Sequence, residues 1–291
     1  MHFPVRMNAP LLSRNELRQE DRIRVAAGSP GIQRLQAELH GSAFSPHRHD
    51  TYAVGITLSG VQTFRYRGEQ RHCLPGQCHI LHPDETHDGA AGTDEGFSYR
   101  IVYVDPGLIQ DALGGGPLPF AREPVRDQAD LRSGIASLIW DFDAEWDETA
   151  GSELVEALAE LLRRACGRAA PERRSPTSSG VARARDLLAS SPTERHSLED
   201  LEAVAGLDRW TLTRQFRLAY GTSPSRFRTL RQLDHVRGLL GRGASLAEAS
   251  LDAGFADQSH MTRHFKRAYG LTPGAWLTAM RRGERASREV A

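Results

Sequence analysis

Two stretches of this chain repeat one another. Ser197 to Pro224 (SLEDLEAVAGLDRWTLTRQFRLAYGTSP) aligns with Ser245 to Pro273 (SLAEASLDAGFADQSHMTRHFKRAYGLTP), placing Gly206 on Gly254, Arg214 on Arg263, Phe216 on Phe265 and Tyr220-Gly221 on Tyr269-Gly270. The second copy carries one extra residue after Gly254. An internal repeat constrains a fold more tightly than local propensity, because one supersecondary unit must satisfy both copies. Each copy opens on a serine suited to cap a helix, runs through a short apolar period and reaches a glycine suited to a sharp turn. It then ends a second helix at Tyr-Gly. The unit is helix, turn, helix.

Helical spacing divides the second helix of each copy into two faces. Leu212, Phe216 and Ala219 fall together on the inward side, as do Met261, Phe265 and Ala268. The opposite sides carry Trp210, Arg214 and Arg217 in one copy and Ser259, Arg263 and Lys266 in the other, flanked by Thr211, Thr213, Gln258, His260 and Thr262. A B-DNA major groove admits one such helix, and arginine bonds bidentately to guanine while its neighbours reach thymine methyls or phosphates. A lone helix-face arginine is usually just solvated, but two aligned copies point to two reading helices. Pro224 to Leu240 supplies a joining helix, with proline in its first turn and Phe227, Leu230 and Val236 as an apolar stripe among arginines.

With GF, RHFKRAYGLTP and both turn glycines in place, about 100 residues of the chain resemble the AraC/XylS family of bacterial transcription regulators. The resemblance implies double-stranded promoter or operator DNA and RNA polymerase as partners, and a small-molecule effector bound in an N-terminal cupin-type barrel. In this family paired helices outside the barrel usually make a homodimer.

Charge is distributed as such a division of labour requires. The formal net charge is zero, yet residues 180–291 carry 18 Lys+Arg against 12 Asp+Glu, whereas residues 1–166 carry 16 against 24. The basic part suits phosphate contacts, and the acidic part would repel DNA. The first residues lack a signal peptide's apolar core, and no run approaches the length of a membrane span, so a cytoplasmic protein is expected. Cys73, Cys78 and Cys166 show neither CxxC spacing nor a secretory context and read as free thiols.

The expected fold is α+β with two domains. Residues 1–30 read as irregular, 31–166 as a cupin-like β-barrel with dimerisation helices, 167–180 as a linker, 181–282 as an all-α domain of two helix-turn-helix subdomains, and 283–291 as a tail. Short runs bounded by turn signals, from IQRLQAELH to FSYRIVYVD, predict the strands, including a hairpin about Arg67-Gly68. Periodic segments at 128–147 and 152–168 predict two helices, the second carrying Leu154, Leu158, Leu161 and Leu162. Their apolar stripes need a partner surface, either the barrel or another subunit.

Six of the twelve histidines lie between His47 and His87. His47 and His49, two apart on an extended segment, project to one side and with His87 could form a three-nitrogen metal site. In metal-binding cupins a glutamate follows such a pair, but the matching position here is Ala53 or its neighbour. No metal or other cofactor is therefore assigned. His47, His49, His87 and Tyr52 read instead as polar groups at the mouth of an effector pocket, and His72, His79 and His82 as structural residues at strand ends. The leading reading is a non-enzymatic, sequence-specific DNA-binding regulator. The alternatives are a metal-dependent cupin enzyme fused to a DNA-binding module, and a constitutive DNA binder whose barrel only dimerises.

Overall fold

The computed structural model describes residues 20–115, 118–131, 139–166 and 179–290. The N-terminal part holds strands β1 (Arg22–Ala27), β2 (Ile32–Leu39), β3 (Ser42–His47), β4 (Tyr52–Gly60), β5 (Gln62–Tyr66), β6 (Glu69–Cys73), β7 (Gln77–Leu81), β8 (His87–Ala91), β9 (Phe97–Val104) and β10 (Val125–Asp127). They form a six-stranded sheet in the order β1-β2-β9-β4-β7-β10 and a four-stranded sheet in the order β3-β8-β5-β6. Among the described residues these are two separate antiparallel sheets, so the expected barrel is not a closed ring of strands.

Residues 20–30, expected to be irregular, contain β1, which pairs in register with β2. The alternation of Ile23 and Val25 with arginines is the period-two signal of a half-buried edge strand. The β5–β6 hairpin turns at Arg67-Gly68, both with positive φ (53° and 85°), as a two-residue hairpin loop requires.

Side-chain parity splits the six-stranded sheet into two faces. Tyr52, Val54, Ile56, Cys78, Ile80 and Val102 belong to an outer apolar cluster, whereas Ala53, Leu81, Tyr99 and Ile101 face inward with Phe64 and Tyr66 of the other sheet. Short helix α1 (Pro106–Ala112) and the long α2 (Glu148–Ala165) cover the outer face. Leu154, Leu158, Leu161 and Leu162 are all buried there, so the stripe expected to seek a partner is covered by the chain's own sheet. Of the other expected helix, Gln128–Asp130 form a single 3-10 turn, 132–138 lie outside the described residues, 139–140 are helical and 141–147 are not. Residues 167–178 of the expected linker also lie outside the described residues.

The C-terminal part is all helical: α3 (Ser179–Ser190), α4 (Leu198–Ala205), α5 (Arg209–Tyr220), α6 (Pro224–Gly241), α7 (Leu246–Asp252), α8 (Gln258–Tyr269) and α9 (Pro273–Val290). The last helix runs through most of the expected tail. Ser197 and Ser245 each close a capping box, with Asp200 and Glu248 respectively, satisfying amide groups that the helix start leaves open. Gly206 (φ 66°) and Gly254 (φ 76°) make the turns, and Gly221 (70°) and Gly270 (72°) end the second helices. Helix α6, 18 residues long, spans about 27 Å between the two units at 1.5 Å per residue.

Each unit has its own inward face. Leu212, Phe216 and Ala219 pack with Val181, Leu188 and Phe227. Met261, Phe265 and Ala268 pack with Leu230, Leu233 and Trp276 in a cluster that continues into the inner face of the sheets. Phe216→Ala and Phe265→Ala should each cost about 3–5 kcal/mol, and Ser245→Ala about 1 kcal/mol, read as shifts of the denaturant midpoint at constant slope.

Candidate functional site

The helical domain sits on the sheet domain through polar contacts that bridge distant parts of the sequence. The Ser45 amide donates to the Gly270 carbonyl (3.1 Å) and the Arg48 amide to the Arg267 carbonyl (3.2 Å), fastening the end of α8 to β3. From α6, the Arg226 guanidinium meets Asp84 at 2.9 Å, and Arg231 donates to both carboxylate oxygens of Asp50 at 3.0 and 3.2 Å. From α3, Arg185 reaches Asp105 at 3.3 Å. Burial pushes the Asp50 carboxyl up to about 6, with Arg231 opposing the rise.

Between the sheets and this helical roof lies a cavity of about 550 Å³. The sheets supply apolar walls, among them Leu35, Phe64, Tyr99 and Ile101, while Arg231, Arg237, Tyr269 and Trp276 of the helical domain line it from above. The volume and mixed lining are those of a small-molecule site.

His47, His49 and His87 stand together on one wall, the first two by their spacing on one short segment and His87 through strand pairing. The ring of His87 lies 4.3 Å from that of His47 and 4.9 Å from that of His49, and β3–β8 pairing sets His47 opposite His87. Burial lowers all three pKa values, to about 4 for His87 and well below the ordinary histidine range for the other two, so each ring is neutral at pH 7. Among the described residues no three His, Cys, Asp or Glu side chains are arranged to hold a metal ion.

Two residues change sides. Tyr52 does not line the cavity: it is fully buried on the outer face, where its hydroxyl donates to the Pro119 carbonyl at 2.8 Å. Its neighbour Ala53 faces inward, and consecutive strand residues cannot both do so. His79, expected to be structural, lines the cavity together with Leu81, two residues on. Gly55 makes room for it, since a Cβ there would lie 2.3 Å from the His79 ring. His82 is structural, held between the Tyr66 hydroxyl (2.9 Å) and the Ala121 amide (2.9 Å), and His72 is exposed on β6. The roof residues Arg231, Arg237 and Tyr269 carried no signal in sequence, because only domain docking brings them to the cavity.

In the helical domain, α5 and α8 present exposed polar faces. Trp210 is 79% exposed, Arg214, Arg217, Gln258, Ser259, Arg263 and Lys266 are exposed, and Thr211, Thr213 and Thr262 are half-buried beside them. Among the described residues Arg214, Arg217, Arg263 and Lys266 form no ion pair, unlike Arg209, which lies near Glu199 and Glu202. His260 departs from the expectation. It is half-buried, its Nε2 sits 3.0 Å from His264 Nε2, and its ring meets Phe255 edge-on, so local packing holds it.

Comparison with known proteins agrees with this division. The family model described as an AraC-like ligand binding domain matches residues 29–188, and one described as a helix-turn-helix domain matches residues 201–279. The chain belongs to the AraC family of transcription regulators. As a member, it is a DNA-binding regulator that responds to a small-molecule effector. The HTH-type transcriptional regulator YbfI of Bacillus subtilis is 26% identical over 223 residues, covering 75% of this chain and 81% of its own. The XylDLEGF operon transcriptional activator of Pseudomonas putida is 23% identical over 252 residues, covering 80% and 76%. The solved structure of ToxT from Vibrio cholerae superposes with a TM-score of 0.63 at 11% identity, over 87% of this AraC-type chain and 99% of ToxT; ToxT has also been solved with an unsaturated fatty acid bound.

The Asp50–Arg231 pair makes the docking testable. Arg231→Leu leaves a buried carboxylate without its partner and should cost about 3–5 kcal/mol, read as a lowered unfolding midpoint and as faster proteolysis between the domains. Unchanged stability and cleavage would show that the pair does not hold the roof.

Proposed function

We propose that this regulator binds its effector in the cavity between sheets and helical roof, and that occupancy sets how the helical domain is seated and hence how well it reads DNA. The observation that carries this reading is the composition of the cavity wall. Arg231, Arg237, Tyr269 and Trp276 come from the DNA-reading domain and His47, His49, His79 and His87 from the sheet domain, so one ligand touches both. A ligand shifts a conformational equilibrium only through different contacts in the two states, and a shared wall supplies that difference. The role is binding without turnover, in keeping with the family and with the apolar Ala53, on the inner face of the sheet, at or next to the position where a metal cupin carries an acid.

DNA is read by α5 through Trp210, Thr211, Thr213, Arg214 and Arg217 and by α8 through Gln258, Ser259, Thr262, Arg263 and Lys266. The support is their exposure on aligned faces of two helices that α6 holds apart. We also propose a homodimer and contact with RNA polymerase, on the family resemblance alone, since the α2 stripe is covered within the chain.

Arg214→Ala and Arg263→Ala should each weaken specific binding by about 1–3 kcal/mol and relax base preference at different groove segments, as base-substitution series on an operator would show. A loss equal for all sequences, with a flatter salt dependence, would make that arginine a phosphate clamp. Filling the cavity with Ile101→Trp should change operator affinity of the full chain by about fivefold or more, although no DNA-reading residue is altered. Unchanged affinity would overturn the coupling.

A further inference from the structure

The histidine wall has a chemical polarity that narrows the ligand. His47, His49 and His87 each direct Nδ1 at a backbone carbonyl, of Ser45 (2.8 Å), Thr51 (2.9 Å) and Glu85 (3.0 Å) respectively. A carbonyl only accepts, so each Nδ1 carries the hydrogen; the Thr51 hydroxyl, 3.3 Å from His49 Nδ1, is the longer contact. In a neutral ring Nε2 is then a bare lone pair. His49 Nε2 is buried without a partner, and neither nitrogen of the fully buried His79 has one. Acceptors therefore outnumber donors on this wall, which calls for a ligand that donates hydrogen bonds.

The charges around the cavity are already engaged. Arg231 is held by Asp50 and by Asp234 at 3.2 Å. Arg237 lies 3.7 Å from Asp234 and over the rings of Tyr269 and Trp276. Asp234 also accepts from the Tyr269 hydroxyl, Asp105 pairs with Arg185, and Asp88 accepts from the Arg65 amide at 2.6 Å. Among the described residues the Nε–H groups of Arg231 and Arg237 keep no hydrogen-bond partner, but the charges of these two guanidinium groups are balanced by Asp50 and Asp234. A carboxylate would therefore meet lone pairs on the histidine wall and already neutralised cations on the roof. An ammonium would find only Asp88 without an ion-pair partner among these carboxylates. The rest of the wall, including Phe64, Tyr99, Ile101 and Trp276, suits a ring.

We propose that the cavity takes an uncharged aromatic ligand bearing a hydroxyl, with the hydroxyl donating to the wall formed by His49, His79 and His87. This rests on the reading that the cavity is the effector site, and it names the class of effector. A phenol supplies one donor and one acceptor, matching a lone pair of His49 or His87 and the N–H of His79 in the tautomer that aims it at the oxygen. Leaving a buried acceptor unmatched is penalised, so a ligand without a donor loses affinity.

Three probes with one biphenyl body test it by calorimetry on the full chain at neutral pH: 4-phenylphenol, biphenyl-4-carboxylate and 4-phenylbenzylamine. The phenol should bind about tenfold or more tightly than either charged probe, and His49→Leu and His79→Leu should each narrow that preference. The wild-type comparison stands by itself should either variant fail to fold. Equal or tighter binding of the carboxylate or amine, or a preference unchanged in both folded variants, overturns the proposal, as does binding of none of the three. Stoichiometric Zn²⁺ binding lost in His49→Leu would reassign the wall to a metal and also overturn it. In each of these cases the effector-site reading is decided separately, by the response of operator affinity to Ile101→Trp.

Discussion

Close backbone approach at the ends of α5 and α8, the second helices of the two helix-turn-helix units, is the constraint on which the arrangement rests. Gly270, which stops α8, lies so near β3 that a Cβ there would be 2.8 Å from His47 Nδ1, 2.9 Å from Phe44 Cβ and 3.0 Å from the Ser45 carbonyl oxygen. Gly221, which stops α5, is equally close to the sheet domain, with Pro83 Cβ 2.5 Å from where a Cβ would lie. Glycine at these positions thus has two functions. Its positive φ ends the helix, and its missing side chain lets the helix end seat on the sheets.

Once seated, the domains share an interior. The core of the second helix-turn-helix unit is continuous with the inner face of the six-stranded sheet, from Phe265 and Trp276 to Tyr99 and Ile101. Buried ion pairs such as Asp50–Arg231 add little net stability over a well-packed apolar contact, but they are costly to break singly and so select one geometry. The cavity persists because its polar wall and its roof come from different domains. A ligand inside it would touch both domains at once, with no need for a chain of intermediate contacts between them.

The cavity also shows how sheet parity assigns chemistry. In β7, Cys78 and Ile80 face the outer helices while His79 and Leu81 face the cavity; in β4, Tyr52, Val54 and Ile56 face outward while Ala53 faces inward. Tyr52 cannot share the inner face with Ala53. The β4–β7 register, which pairs Ala53 with Leu81 and Gly55 with His79, puts His79 beside it. Residue type alone favoured a tyrosine over a histidine flanked by apolar residues. The fixed alternation of a strand decides the other way.

What the amino-acid sequence determined by itself is what depends on short spacing: the repeated helix-turn-helix unit, its serine caps and glycine turns, the inward and outward faces of α5 and α8, the Arg67-Gly68 hairpin and the joint placement of His47 and His49. Each follows from backbone geometry within a few residues. Only the tertiary structure decided that the strands form two sheets, that the α2 stripe is covered by the chain's own sheet, and that Arg231, Arg237 and Tyr269 close the cavity. Arg231 and Asp50 stand 181 residues apart in sequence. No local period connects them. They meet because the packing of two domains leaves a carboxylate and a guanidinium buried together, and burial of either alone is prohibitive.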